Sequence, residues 1–227
     1  MSNPFNFFDK IYYINLDSRI DRKKKILKEF EIVGISNKVI RFPGVVYTGA
    51  YKTCPLAIGC TLSHRQILKS AINENLSNVL VFEDDCCFPE KEKTLGILAN
   101  ALSALKTVNW SIFYLGFTML SPPTDIITKN LFKVSNNCPG AFALVYNKNI
   151  FTYLLTKSDE LGIDFIFDQV IAQYLQKDFP CYGVYPMLGT MIADISDLSH
   201  KNTQGDGFGG YGLHSLYNKT VEDILNA

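Results

Sequence analysis

Apolar and polar positions fall into blocks along the chain, and the period of each block predicts an element. Ile11-Tyr12-Tyr13-Ile14 is a short β-branched and aromatic run closed by turn and capping types from Asn15 to Ser18, which predicts a first strand. From Arg19 to Val33 the residues Ile26, Leu27, Phe30 and Val33 recur at helical spacing, and Gly34 supplies the stop expected just past a helix end. Lys38 to Phe42 predicts a second strand, ended by Pro43-Gly44. The stretch from there to Pro55 has no period and reads as a long loop. Leu62, Leu68, Ala71 and Ile72 then set a helical face from Thr61 to Glu74. Val79-Leu80-Val81-Phe82 follows without a polar interruption, as a strand buried on both faces would.

A third helix is predicted from Glu90 to Lys106 and a further strand from Trp110 to Gly116. This alternation of strand and helix implies an α/β fold with a mostly parallel central sheet flanked by helices. After Pro122-Pro123 the pattern loosens into short strands at Leu131 to Val134 and Ala141 to Tyr146, then helices at Asn149 to Lys157 and Phe165 to Gln176. Cys181 to Tyr185 is a late strand. No linker rich in Ser, Gly or Pro divides the chain, so residues 1–200 read as one domain with a mixed second half on the same sheet. Residues 201–227 hold Gly205, Gly207, Gly209, Gly210 and Gly212 and read as a flexible tail or lid.

Composition narrows the class of partner. The 227 residues carry 22 Lys+Arg against 22 Asp+Glu, which removes the general attraction expected of a protein that coats nucleic acid or an anionic membrane surface. With 47% hydrophobic and 13% aromatic residues the chain fills a sizeable core and is not a disordered protein. The amino-terminal residues lack a signal-peptide pattern, and no apolar stretch reaches the ~18 residues of a membrane span, so a soluble, cytoplasmic chain is expected. Six cysteines without a Cys-x-x-Cys pair read as reduced thiols, and three histidines are too few for a His-rich metal centre. A metal would then be held by carboxylates, which points to Mg²⁺ or Mn²⁺.

Three segments carry candidate chemistry. Glu83-Asp84-Asp85 stands at the carboxyl end of an apolar strand, where ligands of open α/β sheets bind, and three acids together are relieved by a divalent cation that could in turn bridge a diphosphate. A solvated turn is the alternative. Arg19 and Arg22 sit early in the first helix, where the helix dipole disfavours cations, and so invite an anionic ligand. The alternative is a solvated basic face continuing into Lys23-Lys24-Lys25. Gly59-Cys60-Thr61-Leu62-Ser63-His64 opens the second predicted helix; Ser63 and His64 project about 100° apart and make a poor nucleophile and base pair. Cys60 and His64 share a face at i, i+4, but two ligands without a third make no soft-metal site, which leaves His64 a hydrogen-bonding or packing residue.

In this order, Tyr13-Ile14-Asn15-Leu16 with Arg19 and Asp21-Arg22, Gly59-Cys60 with Leu62-Ser63-His64, and Phe82-Glu83-Asp84-Asp85 resemble glycosyltransferase family 25. That family contains lipopolysaccharide and lipooligosaccharide galactosyltransferases and the collagen hydroxylysine galactosyltransferases. Weaker matches lie in Tyr114-Leu115-Gly116, Ala141-Phe142-Ala143, Ile163-Asp164 and Ser196-Asp197-Leu198. The resemblance implies a glycosyltransferase A-type nucleotide-binding fold, a UDP-sugar donor, Mn²⁺ or Mg²⁺, and an inverting hexosyl transfer to a saccharide or a hydroxylated side chain. It implies Glu83 and Asp85 as metal ligands and Asn15, Leu16, Arg19, Arg22, Ser63, His64 and Asp84 on the nucleotide side. Asp164 is the first candidate for the base and Asp168, one helical turn later, its competitor. A non-catalytic nucleotide-sugar-binding or assembly module on the same fold, including a homo-oligomer, is the rival reading.

Overall fold

The computed structural model describes residues 2–52, 54–89, 91–118, 125–134 and 138–191. The chain enters its sheet at β1 (Lys10–Asn15), in which every residue after Lys10 is buried. Helix α1 (Ile20–Ile32) then leads to β2 (Val39–Pro43), and α2 (Pro55–Asn73) leads back to β3 (Asn78–Glu83). Both β2 and β3 pair with β1 in parallel, one on either side of it. The two crossover helices therefore cover opposite faces. Ile26 and Phe30 of α1 pack with Tyr13, Leu80 and Phe82, while Ile67, Leu68 and Ala71 of α2 pack with Tyr12, Ile14, Val79 and Val81. Alternate residues of one strand thus feed two separate cores, because successive side chains of a strand point to opposite faces.

The reversal of direction at β1 makes the gap between the ends of β1 and β3 a topological switch point. In open α/β sheets ligands bind outside the carboxyl ends of the strands at that place. Register sets what stands there: Ile14 lies opposite Glu83, so Asn15 and the two acids after Glu83 leave the sheet side by side.

The remaining elements are β4 (Cys86–Cys87), α3 (Thr94–Leu105), β5 (Ile112–Gly116), β6 (Ile126–Thr128), β7 (Leu131–Val134), β8 (Ala143–Asn147), α4 (Phe151–Leu161), α5 (Phe167–Val170), β9 (Cys181–Val184) and β10 (Thr190–Met191). The central sheet has the order β2-β1-β3-β8-β5-β9-β7-β6, and β10 pairs with β4 outside it. Strand β8 is antiparallel to both neighbours, and β7 is antiparallel to β9 and β6, so six of the eight strands run in one direction. The α/β class and the mostly parallel sheet flanked by helices are as the alternation of elements implies. Among the described residues no helix is long and apolar enough to cross a membrane.

Two elements depart from the periodicity. Helix α2 begins at Pro55, six residues before the predicted start, because proline at a first helical position gives up an N–H that has no partner anyway. Gly59 and Cys60 therefore lie inside the helix. A Cβ at Gly59 would stand 2.2 Å from the Val45 carbonyl oxygen, so the glycine lets the segment after β2 lie directly on the helix. The predicted helix from Phe165 to Gln176 is broken: α5 widens into π-helical turns over Ile171–Leu175. Residues 201–227 and Ser196-Asp197-Leu198 fall outside the described residues.

Phe82 is fully buried and its ring centroid lies 5.3 Å from that of Phe30 and 5.7 Å from that of Phe88. Phe82→Ala is expected to cost about 3–5 kcal/mol, the usual range for emptying such a site. Urea unfolding measures this, and a loss below about 1 kcal/mol would contradict the packing described.

Candidate active site

The three acids after the apolar run of β3 have three different environments. Asp84 is 8% exposed and is held from two sides: Asn15 Nδ2 donates to its Oδ2 at 2.7 Å, and Arg22 Nη1 to its Oδ1 at 3.0 Å. The same Arg22 Nη1 lies 3.1 Å from Asp85 Oδ2. Glu83 faces α2 instead, where Cys60 Sγ donates to its Oε1 at 3.4 Å and His64 Nε2 lies 3.8 Å from that oxygen. Strand alternation separates Glu83 from Phe82, and the turn that follows swings Asp84 and Asp85 towards α1.

Arg22 is 7% exposed, so the early arginines do not form a solvated basic face. Arg22 packs one helical turn before Ile26, and that anchoring carries its guanidinium beneath the strand end. Arg19 makes a two-pronged bond to Asp21, at 3.0 and 2.8 Å, which holds the Asp21 carboxyl well below the usual carboxylate range. Asn15 also receives Arg41, whose Nε donates to Oδ1 at 3.0 Å while Nη2 reaches the Asn15 carbonyl at 3.0 Å and Asp17 at 2.5 Å.

Burial is the main force on the acids. It raises the Asp84 carboxyl, against the bonds from Asn15 and Arg22. Asp85 is pushed up to about 7 by burial and by the neighbouring Glu83 charge, with Arg22 opposing. Asp85 Oδ1 is shut off from solvent and has no hydrogen-bond partner. A buried carboxylate oxygen with no donor, in a carboxyl that also feels the Glu83 charge, fits a divalent cation: Asp85 would hold it, with Glu83 as a second oxygen ligand once its side chain turns from Cys60 to the strand end, a donor set suited to Mn²⁺ or Mg²⁺.

The structure distributes the other sequence candidates as follows. Ser63 is buried, donates to the Gly59 carbonyl at 2.8 Å and accepts from the Val45 N–H at 2.9 Å, so it ties the segment after β2 to α2. Leu16 lies at the end of β1, its side chain beside Gly44. His64 is 1% exposed, stacks on Phe167 and shares a 2.8 Å hydrogen bond between Nδ1 and the Tyr146 hydroxyl. Asp164 Oδ1 accepts from the Lys52 N–H at 2.8 Å. Asp168 accepts from the Gly140 N–H at 3.1 Å, and burial raises its carboxyl, with the Glu83 charge adding to the effect and His64 opposing.

Arg41, Tyr146 and Thr118 were not among the sequence candidates. Arg41 sits in a predicted strand and Tyr146 in an apolar run, so neither carries a local signal. Thr118 lies just past β5, with Oγ1 buried and without a hydrogen-bond partner, against the Gly140 turn that Asp168 holds.

The family model described as "Glycosyltransferase family 25 (LPS biosynthesis protein)" matches residues 55–161, which span α2, β3 and the acid cluster. Residues 55–161 of this chain are therefore similar to a glycosyltransferase family 25 domain. A "Glycosyltransferase 25 family member" of Anopheles gambiae is 33% identical over 47% of the chain and 21% of its own length. "Procollagen galactosyltransferase 2" of Homo sapiens is 30% identical over 48% of the chain and 21% of its own length. "Probable inactive glycosyltransferase 25 family member 3" of Bos taurus is 30% identical over 55% of the chain and 24% of its own length. The matched region is thus under a quarter of each of these relatives. A solved glycosyltransferase involved in glycosylation of the major capsid of PBCV-1 superposes at a TM-score of 0.46 and 11% identity, over 73% of this chain and 74% of that one.

Asp85 carries a pH prediction for the metal-free protein. Its folded value of about 7 lies above the reference 3.8, so between those values the folded state holds a proton that the unfolded state has lost. Its contribution to stability therefore falls as pH rises through that window. The melting temperature of Asp85→Asn relative to the parent, both in chelator, is expected to climb from pH 4 to pH 8; a difference that stays flat or falls would contradict the assignment.

Proposed function

We propose that this chain is a metal-dependent, inverting hexosyltransferase that moves galactose or glucose from a UDP-sugar to a saccharide or hydroxylated side-chain acceptor. The observation that carries the reading is the partnerless Asp85 oxygen beside Glu83 at the switch point of the sheet, within the region that matches family 25. A cation there supplies charge neutralisation for a departing diphosphate. An A-type nucleotide-binding arrangement accords with the placement of these acids at the end of a central strand.

The chain's own residues divide the work by position. Arg22 and Asn15 fix Asp84, so that the turn after β3 keeps one shape and Asp85 presents its free oxygen. Arg41 holds Asn15 in turn, and Arg19 with Leu16 borders the same strand end on the side of the nucleotide. Asp168 is the acceptor-side base in this proposal. Its burial favours the proton-bound form, which suits a carboxylate that must accept a proton from a hydroxyl, and it senses the Glu83 charge. The acceptor oxygen would lose its proton to Asp168 as it bonds to the anomeric carbon, and UDP would leave from the opposite face. Thr118 Oγ1 stands on the Asp168 side and offers the acceptor a hydrogen bond. A cytoplasmic setting belongs to the same proposal, since all six cysteines are free thiols.

The similarity to a relative named inactive supports a second reading, in which the fold binds a nucleotide sugar without transferring it. A panel of UDP-sugars with Mn²⁺ and a saccharide acceptor, read by UDP release and product mass, separates the two. Transfer by the parent is expected, with kcat lowered about 10²–10⁴-fold in Asp168→Asn, the usual contribution of a general base. Asp164→Asn is expected to stay within about tenfold of the parent. Full activity in Asp168→Asn would refute the base assignment, and binding without transfer across the panel would favour the second reading.

A further inference from the structure

We infer that Cys60, His64 and Glu83 form a second metal site, suited to a soft divalent ion of the zinc class, which shares Glu83 with the strand-end acids. Two of its ligands come from successive turns of α2 and the third from the end of β3. Cys60 Sγ, His64 Nε2 and a Glu83 carboxylate oxygen all lie within 4.8 Å of one another. Tetrahedral zinc with its usual bond lengths keeps sulfur, nitrogen and oxygen ligands about 3.3–3.6 Å apart. The observed separations are 3.4 Å between Cys60 Sγ and Glu83 Oε1, and 3.8 Å between His64 Nε2 and the same oxygen. Small rotations of three side chains close the set.

His64 Nε2 points to the ligand independently of the cluster. It is buried and has no hydrogen-bond partner, although the other ring nitrogen is bonded to Tyr146. A buried imidazole nitrogen left unbonded loses its interactions with water without replacement. The Tyr146 bond also does what the outer partner of a metal-bound histidine does: with Nδ1 donating to the tyrosine oxygen, the Nε2 lone pair faces Glu83 and Cys60. The packing of Phe167 on the ring holds that orientation. Metal binding would release the Cys60 thiol proton to solvent and leave a thiolate–metal bond.

Sharing Glu83 gives the site a regulatory meaning, and this part rests on the transferase reading above. An ion on Cys60 and His64 would keep Glu83 on the α2 side, where it already lies, and withhold it from a cation at Asp85, so zinc would compete with Mn²⁺ at the strand end and inhibit transfer. Three protein ligands also leave a fourth position for water or for another group.

The test uses the full chain, reduced and stripped of metal, titrated with Co²⁺ as a coloured substitute for Zn²⁺. One Co²⁺ per chain is expected, with a thiolate-to-metal absorption band that is lost in Cys60→Ser and kept in Cys54→Ser, and Zn²⁺ is expected to bleach it. Absence of the band, or its survival in Cys60→Ser, would overturn the site. If circular dichroism shows that Cys60→Ser does not fold, Glu83→Gln decides: affinity lower by about tenfold or more supports the site, and unchanged affinity sinks it. These readings need no donor sugar. A chain that binds Co²⁺ as described yet transfers nothing refutes the proposed activity alone, whereas transfer by a chain without the band refutes the zinc site alone.

Discussion

Arg22 is the residue on which the strand end depends. β3 delivers three consecutive acids to one place, and without a buried cation they would repel one another in a medium that screens charge poorly. A single guanidinium nitrogen meets both Asp84 and Asp85. It is placed there by packing: α1 lies on the face that holds Phe30 and Phe82, and Arg22 is one turn before Ile26 on the same side. Removing one partner of such a buried pair typically costs about 3–5 kcal/mol, because the remaining charge is stranded. The helix that starts after β1 is thereby fastened to the end of β3, and the crevice between the two strands keeps its shape.

Arg22 leaves the charge incompletely balanced. Asp84 is shared with Asn15 and fully occupied, whereas Asp85 keeps one oxygen without a donor and Glu83 turns to the opposite face of the sheet. The acids therefore do separate things. Asp84 pins the turn through Asn15 and Arg22, Asp85 keeps a buried oxygen without a donor, and Glu83 lies against the Cys60–His64 face of α2. The zero net charge of the whole chain conceals this local excess, since Lys24, Lys25 and Lys28, which follow Arg22 on α1, are exposed on its outer side.

Much of the fold was legible in the sequence, because apolar runs at period two and stripes at period 3.6 report burial directly. β1, β2, β3, α1 and the α/β class follow from residues 10–83 alone. The antiparallel insertion of β8 between β3 and β5 was not legible, since Ala143 to Asn147 reads the same in either direction and strand order is a property of long-range pairing. The early start of α2 was hidden by Gly59, a poor helix former whose missing Cβ matters only once Val45 is seen against it. The acids of the candidate site stood out because they break an apolar strand. Their partners did not: Arg41 and Tyr146 look like ordinary strand residues, and His64 looks like a packing residue until β3 sets Glu83 beside it. A three-ligand cluster drawn from two elements cannot be read from i, i+4 spacing within one.

In the proposed transferase Asp85 and Glu83 would hold a divalent cation, which would supply positive charge for the diphosphate of a nucleotide sugar. Titration calorimetry of UDP into the folded chain, with Mn²⁺ and with chelator, tests it most directly. UDP binding is expected to require Mn²⁺ and to be lost in Asp85→Asn, while that variant keeps the far-ultraviolet dichroism of the parent. Binding of equal strength in chelator, or undiminished in Asp85→Asn with Mn²⁺ present, would contradict it.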